Sequence, residues 1–299
     1  MQIFVGTSGF SYAEWKGRFY PEALPDAQML RFYSERLPTV EINNTFYQMP
    51  KPETVAGWRD STPDTFVFAV KASRRITHQK KLADVGEDVA HLFNVVDMLG
   101  EKVGPVLFQL PPFLKKDLGV LHAFLAALPA GRRAALEFRH PSWFEDDVYA
   151  ALTAANVALV GGDLEESDKS PPLVVTADFG YLRLRRMDYD PPSIAEWGSR
   201  IGAQRWQAVY GYFKHEALGP MFAEALLAVM DGREMADLSA VRASIAAPKP
   251  KSARGASKSK SPSSRVSKAP AVRVSKAPAP RSSKTPARAS KAPSKSGKP

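Results

Sequence analysis

Phe66-Val67-Phe68-Ala69-Val70-Lys71 is an unbroken apolar run that ends on one lysine. Its length and its β-branched and aromatic content are those of a buried strand. An amphipathic stretch follows at 84–101, and then a second short apolar run, Val106–Leu110. Strand, helix, strand is a βαβ unit, whose two strands lie parallel. The same alternation continues outward in both directions. Toward the N-terminus lie Ile3–Gly6 and Val40–Ile42, separated by an amphipathic stretch at 26–37, with another at 52–61. Toward the C-terminus lie Ala134–Phe138, Ala158–Gly161, Tyr181–Arg185 and Ala208–Phe213, interleaved or followed by amphipathic stretches at 115–128, 145–155, 193–204 and 218–230. Asp26, Pro52 and Pro192 stand where an N-cap or first-turn residue belongs. Eight strands with intervening helices predict an α/β fold, a single (β/α)8 TIM-barrel-like domain over residues 1–240. A doubly wound open sheet is the alternative.

Composition bounds the rest. The chain has 299 residues and no cysteine, which excludes disulfides and thiolate metal sites. No apolar run approaches the roughly 20 residues of a membrane span. Met1-Gln2-Ile3-Phe4-Val5 reads as a strand, without the basic start and long apolar stretch of a signal peptide. The cytoplasm, with no membrane partner, is the expected setting.

Charge is unevenly distributed. The chain carries 41 Lys/Arg against 31 Asp/Glu, a net of +10, but residues 247–299 hold 15 of the basic residues and none of the acidic ones. The remainder has 26 basic and 31 acidic side chains, a net of −5. Ser-Lys-Ala-Pro recurs at Ser267, Ser275 and Ser290, and Ser-Lys-Thr-Pro occurs at Ser283. Proline breaks helices, lysines repel one another, and almost nothing apolar is available to form a core. Residues 241–299 are therefore expected to be a disordered, Lys/Ala/Pro/Ser-rich basic tail. In composition the tail resembles those of linker histones. It would bind DNA or RNA non-specifically, by counterion release. The alternative is a solubilising tail with no fixed partner.

Barrel chemistry gathers where strands end and the following loops begin. Strand one runs into Gly6-Thr7-Ser8-Gly9-Phe10-Ser11-Tyr12, a glycine-containing turn that lacks the spacing of a nucleotide-binding loop. Strand two delivers Glu41 and Asn43 on one face, then Tyr47. Strand three ends at Lys71, with His78 in its loop, and strand four at Gln109. Strand five delivers Glu137 and Arg139 on one face, then His140 and Trp143. Asp163 ends strand six, Arg183 and Arg185 strand seven, and Tyr212, Lys214 and His215 strand eight.

Glu41, Lys71 and Glu137 are the candidate catalytic residues. Ser8, Tyr12, Asn43, Tyr47, His78, Gln109, Arg139, His140, Trp143, Asp163, Arg183 and Tyr212 are the candidate ligand-binding residues. Several carboxylates and cations on one rim pair with each other, and any positive surplus suits a small polar or anionic ligand. Either carboxylate serves as a general base or salt-bridges an arginine inside the barrel. Lys71 serves as a Schiff-base or anion-binding lysine, or pairs with Glu41 or Glu137. His78 is a general base or orders its loop. The loop aromatics, among them Phe10, Trp15 and Phe46, cap the barrel or stack on a ligand. His91 and His122 fall on helical surfaces. His78, His140 and His215 with Glu41, Glu137 and Asp163 offer nitrogen and oxygen donors, but no paired His spacing supports a metal. The sequence does not identify a cofactor.

Together these segments resemble a known family. Gly6–Tyr12 leading to Trp15-Lys16-Gly17-Arg18-Phe19-Tyr20-Pro21, Glu41-Ile42-Asn43-Asn44-Thr45-Phe46-Tyr47, Phe66–Ala72 with Ile76-Thr77-His78, Phe108-Gln109-Leu110-Pro111-Pro112 and Glu137-Phe138-Arg139-His140-Pro141-Ser142-Trp143 are similar, in order, to blocks of the YecE-like proteins, domain-of-unknown-function family 72. The resemblance covers roughly residues 3–230. It implies a TIM-barrel fold and no activity. Two blocks depart from the family pattern. Arg183-Leu184-Arg185-Arg186 stands where relatives have Arg-Leu-His-Gly, and Tyr212-Phe213-Lys214-His215-Glu216 where they have Tyr-Phe-Asn-Asn-Asp. Both changes add positive charge at the rim. Three functions are compatible with the sequence: a hydrolase- or lyase-type enzyme on a small anionic metabolite, a nucleic-acid-associated protein recruited through its tail, and a non-catalytic binding scaffold.

Overall fold

The structure is a computed structural model and describes residues 1–166, 170–215 and 217–238. The expectations for the basic tail and for residues 239–240 of the barrel lie outside the described residues.

Eight parallel strands close into a barrel in sequence order: β1 Gln2–Ser8, β2 Thr39–Ile42, β3 Val67–Lys71, β4 Val103–Gln109, β5 Ala134–Glu137, β6 Ala158–Asp163, β7 Phe179–Leu184 and β8 Ala208–Phe213. Closure runs through β1 and β8, paired from Gln2–Ala208 to Thr7–Phe213. That rules out the open doubly wound sheet. Around the barrel lie α1 Met29–Ser34, α2 Pro52–Asp60, α3 Gly86–Val96, α4 Leu118–Ala126, α5 Asp146–Ala154, α6 Pro191–Gly202 and α7 Gly219–Met230.

Boundaries differ from expectation for local reasons. The stretch 84–101 divides because Gly100, at φ 63°, breaks the helical path beyond α3. Asp26 caps nothing and pairs with Lys16 at 2.8 Å. Asp190 caps α6 by accepting from the Ser193 amide, which leaves Pro191 and Pro192 in the first turn.

Period-two alternation divides the core into two shells. Val5, Val40, Ile42, Phe68, Val70, Phe108, Leu136, Leu182 and Val209 point outward to the helices. Ala69, Leu107, Ala135, Val160, Phe179, Tyr181, Tyr210 and Tyr212 fill the lumen. The lower end is closed by Phe4 stacked on Tyr210 at 5.0 Å, with Arg133 donating to the Tyr210 hydroxyl at 2.6 Å. A full core and a plugged floor leave the lumen open to a ligand at the strands' C-terminal end.

Two features deform that end. β5 and β6 pair only through Ala135–Ala158 and Leu136–Leu159. Among the described residues no helix lies between β6 and β7, whereas each of the other strands is followed by one.

Candidate functional site

The uppermost lumen layer is polar because the inward register positions at the strand ends carry Ser8, Glu41, Lys71, Gln109, Glu137 and Arg183. Arg183 lies at its centre. It donates Nη2 to Glu41 Oε1 and Nη1 to Glu137 Oε2, both at 2.8 Å. Glu41 Oε1 also accepts from Ser8 Oγ at 2.7 Å and Asn43 Nδ2 at 2.9 Å, and Oε2 from the Tyr181 hydroxyl at 2.7 Å. Glu137 Oε2 accepts further from Gln109 Nε2 at 2.8 Å, and Oε1 from Arg185 Nη2. Gln109 Oε1 then accepts from Lys71 Nζ at 2.9 Å, and that ammonium lies 4.4 Å above the Phe46 ring.

Burial works to raise both carboxyl pKa values, and the neighbouring cations overrule it. Arg183, with the hydrogen bonds from Ser8, Asn43 and Tyr181, holds Glu41 below the usual carboxylate range. Arg183 and Arg185 bring Glu137 down to about 2. Both are therefore anions at neutral pH. Lys71 is lowered to about 8, first by burial and then by Arg183, against the weaker pull of Glu41 and Glu137. His78 is lowered by burial and by the charges of Lys71 and Arg139, so these three share the mouth. Its Nδ1 lies 2.9 Å from Thr77 Oγ1 and its ring meets Phe46 edge-on.

A cavity of about 540 Å³ occupies the gap where β5 and β6 part. Glu137, Arg139, Arg183 and Arg185 give it a charged side, and Phe138, Phe144, Val160, Leu164, Pro171 and Pro172 an apolar one. The parted strands, and the lack of a helix among the described residues between β6 and β7, explain why space exists here. Gly162 keeps β6 close to β7: at φ 144°, a Cβ there would meet the Arg183 carbonyl oxygen at 2.1 Å.

The structure thus brings together Ser8, Glu41, Asn43, Lys71, Gln109, Glu137 and Arg183, with Arg139 and His78 at the mouth. Several expected ligand-binding residues are occupied elsewhere. Tyr212 is fully buried lower in the lumen, bonded to Thr39 Oγ1 at 3.0 Å. Trp143 stacks on Phe138 at 4.5 Å and donates Nε1 to the Leu114 carbonyl. Asp163 borders the cavity but accepts from the Tyr189 hydroxyl at 2.5 Å, the Arg185 amide at 2.9 Å and Trp197 Nε1 at 3.0 Å. It fastens α6 and the end of β7 to β6. His140 caps the turn Pro141–Trp143. Tyr12 bonds the Ser8 carbonyl, and Tyr47 projects outward, 75 % exposed. Glu41 is 0 % exposed, and its carboxylate is taken up by Arg183, Ser8, Asn43 and Tyr181. Tyr181 and Arg185 were not among the expected site residues. Tyr181 lies two residues before Arg183, on the same inward face, which is the signal that identifies it. Among the described residues no three His, Asp or Glu side chains cluster as metal ligands.

The model of the family described as "Protein of unknown function DUF72" matches residues 4–248. The chain belongs to the DUF72 family. This DUF72 chain is 32 % identical over 143 residues to UPF0759 protein YecE of Escherichia coli K12, covering 48 % of this chain and 50 % of that protein. It is 30 % identical over 155 residues to UPF0759 protein YunF of Bacillus subtilis, covering 49 % and 54 %. The chain thus spans about half the length of the curated relatives it matches. Among solved structures, a DUF72 family protein of Thermotoga maritima superposes with TM-score 0.66 at 24 % identity, covering 77 % of this chain and 100 % of that one. One from Enterococcus faecalis gives 0.64 at 19 %, covering 77 % and 96 %. At these identities the two structures show the fold alone. No helix among the described residues is long and apolar enough to cross a membrane.

Proposed function

We propose that this DUF72 protein binds a small organic anion at the C-terminal rim and processes it by proton transfer, as a hydrolase or lyase does. The observation that carries the reading is the charge count of the layer. Two carboxylates, both engaged by arginine, stand against Arg183, Arg185 and Lys71, with Arg139 at the edge. Arg183 and Arg185 also each keep a buried Nε without a hydrogen-bond partner. A partly exposed rim with more cation than anion, set over buried carboxylates held by Arg183, attracts an anionic ligand. The apolar side of the cavity, from Phe138 to Pro172, suits a ligand whose carbon body follows its anionic head.

The roles follow from accessibility and protonation. Arg139 and Arg185 take the anion, and Arg183 supplies field from within. Glu137 stays ionised and orients the guanidinium groups. Lys71 carries the proton, its pKa lowered by burial to about 8, and His78, lowered by burial and by the charges of Lys71 and Arg139, is biased toward the neutral imidazole that accepts one.

The test is a melting series on the full chain with acetate, benzoate, phenyl phosphate and, as a cationic control, benzylamine. The aromatic anions are expected to raise the melting temperature and the amine is not. Equal response to all four, or to none, contradicts the reading.

A second reading concerns residues 247–299. Their 15 cations without an acidic residue support non-specific binding to DNA or RNA, which would bring the barrel to nucleic acid.

A further inference from the structure

We propose that Lys71 is a carbonyl-capturing lysine, forming an imine with a carbonyl-bearing organic anion such as a 2-oxo acid. This rests on the anion-binding reading above and names the class of its ligand.

The argument begins with the partner of the amine. Lys71 Nζ donates to the neutral amide oxygen of Gln109, and it is Gln109 that donates to Glu137. The amide therefore separates the lysine from the carboxylate. No salt bridge joins Lys71 to an Asp or Glu among the described residues. The groups facing it from surrounding strands and loops are Arg183, Arg185, Glu41, Glu137, His78, Gln109 and the Phe46 ring. Both carboxylates are bound to arginine. An ammonium that is desolvated and set beside cations releases its proton more readily, which makes the amine a nucleophile. Lys71 remains partly exposed at the end of β3, so a ligand at the mouth can reach it. Arg139, whose charge also bears on His78, lines the cavity at the same rim and offers a contact for the anionic end.

The step balances without a cofactor. The ammonium first gives one proton to His78 or water. Its lone pair then attacks the carbonyl carbon, a C–N bond forms, and the C=O π pair goes to oxygen. One proton passes from the new C–N nitrogen to that oxygen, giving the carbinolamine, and return of the first proton to its hydroxyl expels water as the nitrogen lone pair forms the protonated imine. The net change is ammonium plus carbonyl giving iminium plus one water.

The experiment is reductive trapping on the full chain with pyruvate and cyanoborohydride at pH 7, followed by peptide mapping. The hydride converts the imine to a stable 1-carboxyethyl amine. Labelling of Lys71 is expected to exceed that of exposed Lys51 and Lys115 by on the order of a hundredfold, because about a tenth of an amine with pKa about 8 is neutral at pH 7, against under about a thousandth of an ordinary lysine. Labelling of Lys71 no greater than at those lysines overturns the proposal. Parallel calorimetric titration with pyruvate separates the two failures. Binding without selective trapping removes the imine and leaves the anion site, whereas absence of both removes the anion reading as well.

Discussion

Arg183 on β7 and Glu41 on β2 meet at 2.8 Å across the barrel lumen, 142 residues apart in sequence, with the carboxylate fully buried. Neither residue's strand is the other's neighbour, since β1 and β8 lie between them. The pair therefore ties opposite parts of the wall together while fixing the guanidinium that charges the site.

The first prediction concerns that tie. Glu41→Gln keeps the shape but removes the charge, and Arg183 is left with one carboxylate for its buried cation. Breaking one side of a buried pair costs about 3–5 kcal/mol. Urea denaturation should show a loss of that order. Stability equal to or above wild type would show that the pair contributes nothing the barrel needs.

Acid should act through Glu137. Its folded pKa is held at about 2 by Arg183 and Arg185, against burial, and lies below the roughly 4.3 of an unfolded glutamate. A depressed folded pKa means that the stabilisation is complete above the unfolded value and is lost as pH falls through the folded one. The contribution at neutral pH is on the order of 3 kcal/mol. Stability followed from pH 5 to pH 2 should fall in wild type and fall less steeply in Glu137→Gln. Parallel slopes would contradict this assignment.

Backbone geometry supplies a paired test. In Gly162→Ala the added methyl meets the Arg183 carbonyl oxygen at 2.1 Å, at a φ of 144° that alanine rarely adopts. Loss of several kcal/mol, or failure to fold, is expected. Gly57 lies within α2, where a Cβ meets nothing within 4 Å, so Gly57→Ala should raise stability by about 0.5–1 kcal/mol. Equal effects of the two substitutions in a thermal melt would refute this.

The sequence made the polar layer legible at the residues where period two applies. Glu41, Glu137 and Arg183 each sit at the inward end of an apolar strand, so alternation alone aims them together. The cavity was not legible, because it depends on β5 and β6 parting after two pairs and on the absence of a helix among the described residues before β7. Asp163 ends a strand and borders the cavity, but its bonds were not legible. Its partners Tyr189 and Trp197 lie beyond β7, and only the packing of α6 brings them to it. The stacking of Trp143 on Phe138 was hidden in the same way, because an aromatic in a loop after a strand does not announce its partner.

Charge distribution gives a further prediction. The chain without residues 247–299 carries a net of −5, against +10 for the whole. A DNA mobility-shift assay should show binding by the full chain that weakens steeply with salt, and none by the truncated chain. Equal binding by the two would remove the tail from the account.

The central claim is that the cation-rich rim holds a small organic anion, and calorimetric titration of phenyl phosphate into the full chain tests it most directly. The account predicts saturable binding that weakens with ionic strength and falls by on the order of tenfold or more in Arg185→Leu, about the 1.5–3 kcal/mol of a hydrogen bond to a charged group. No heat of binding to wild type, or the same affinity in Arg185→Leu, would contradict it.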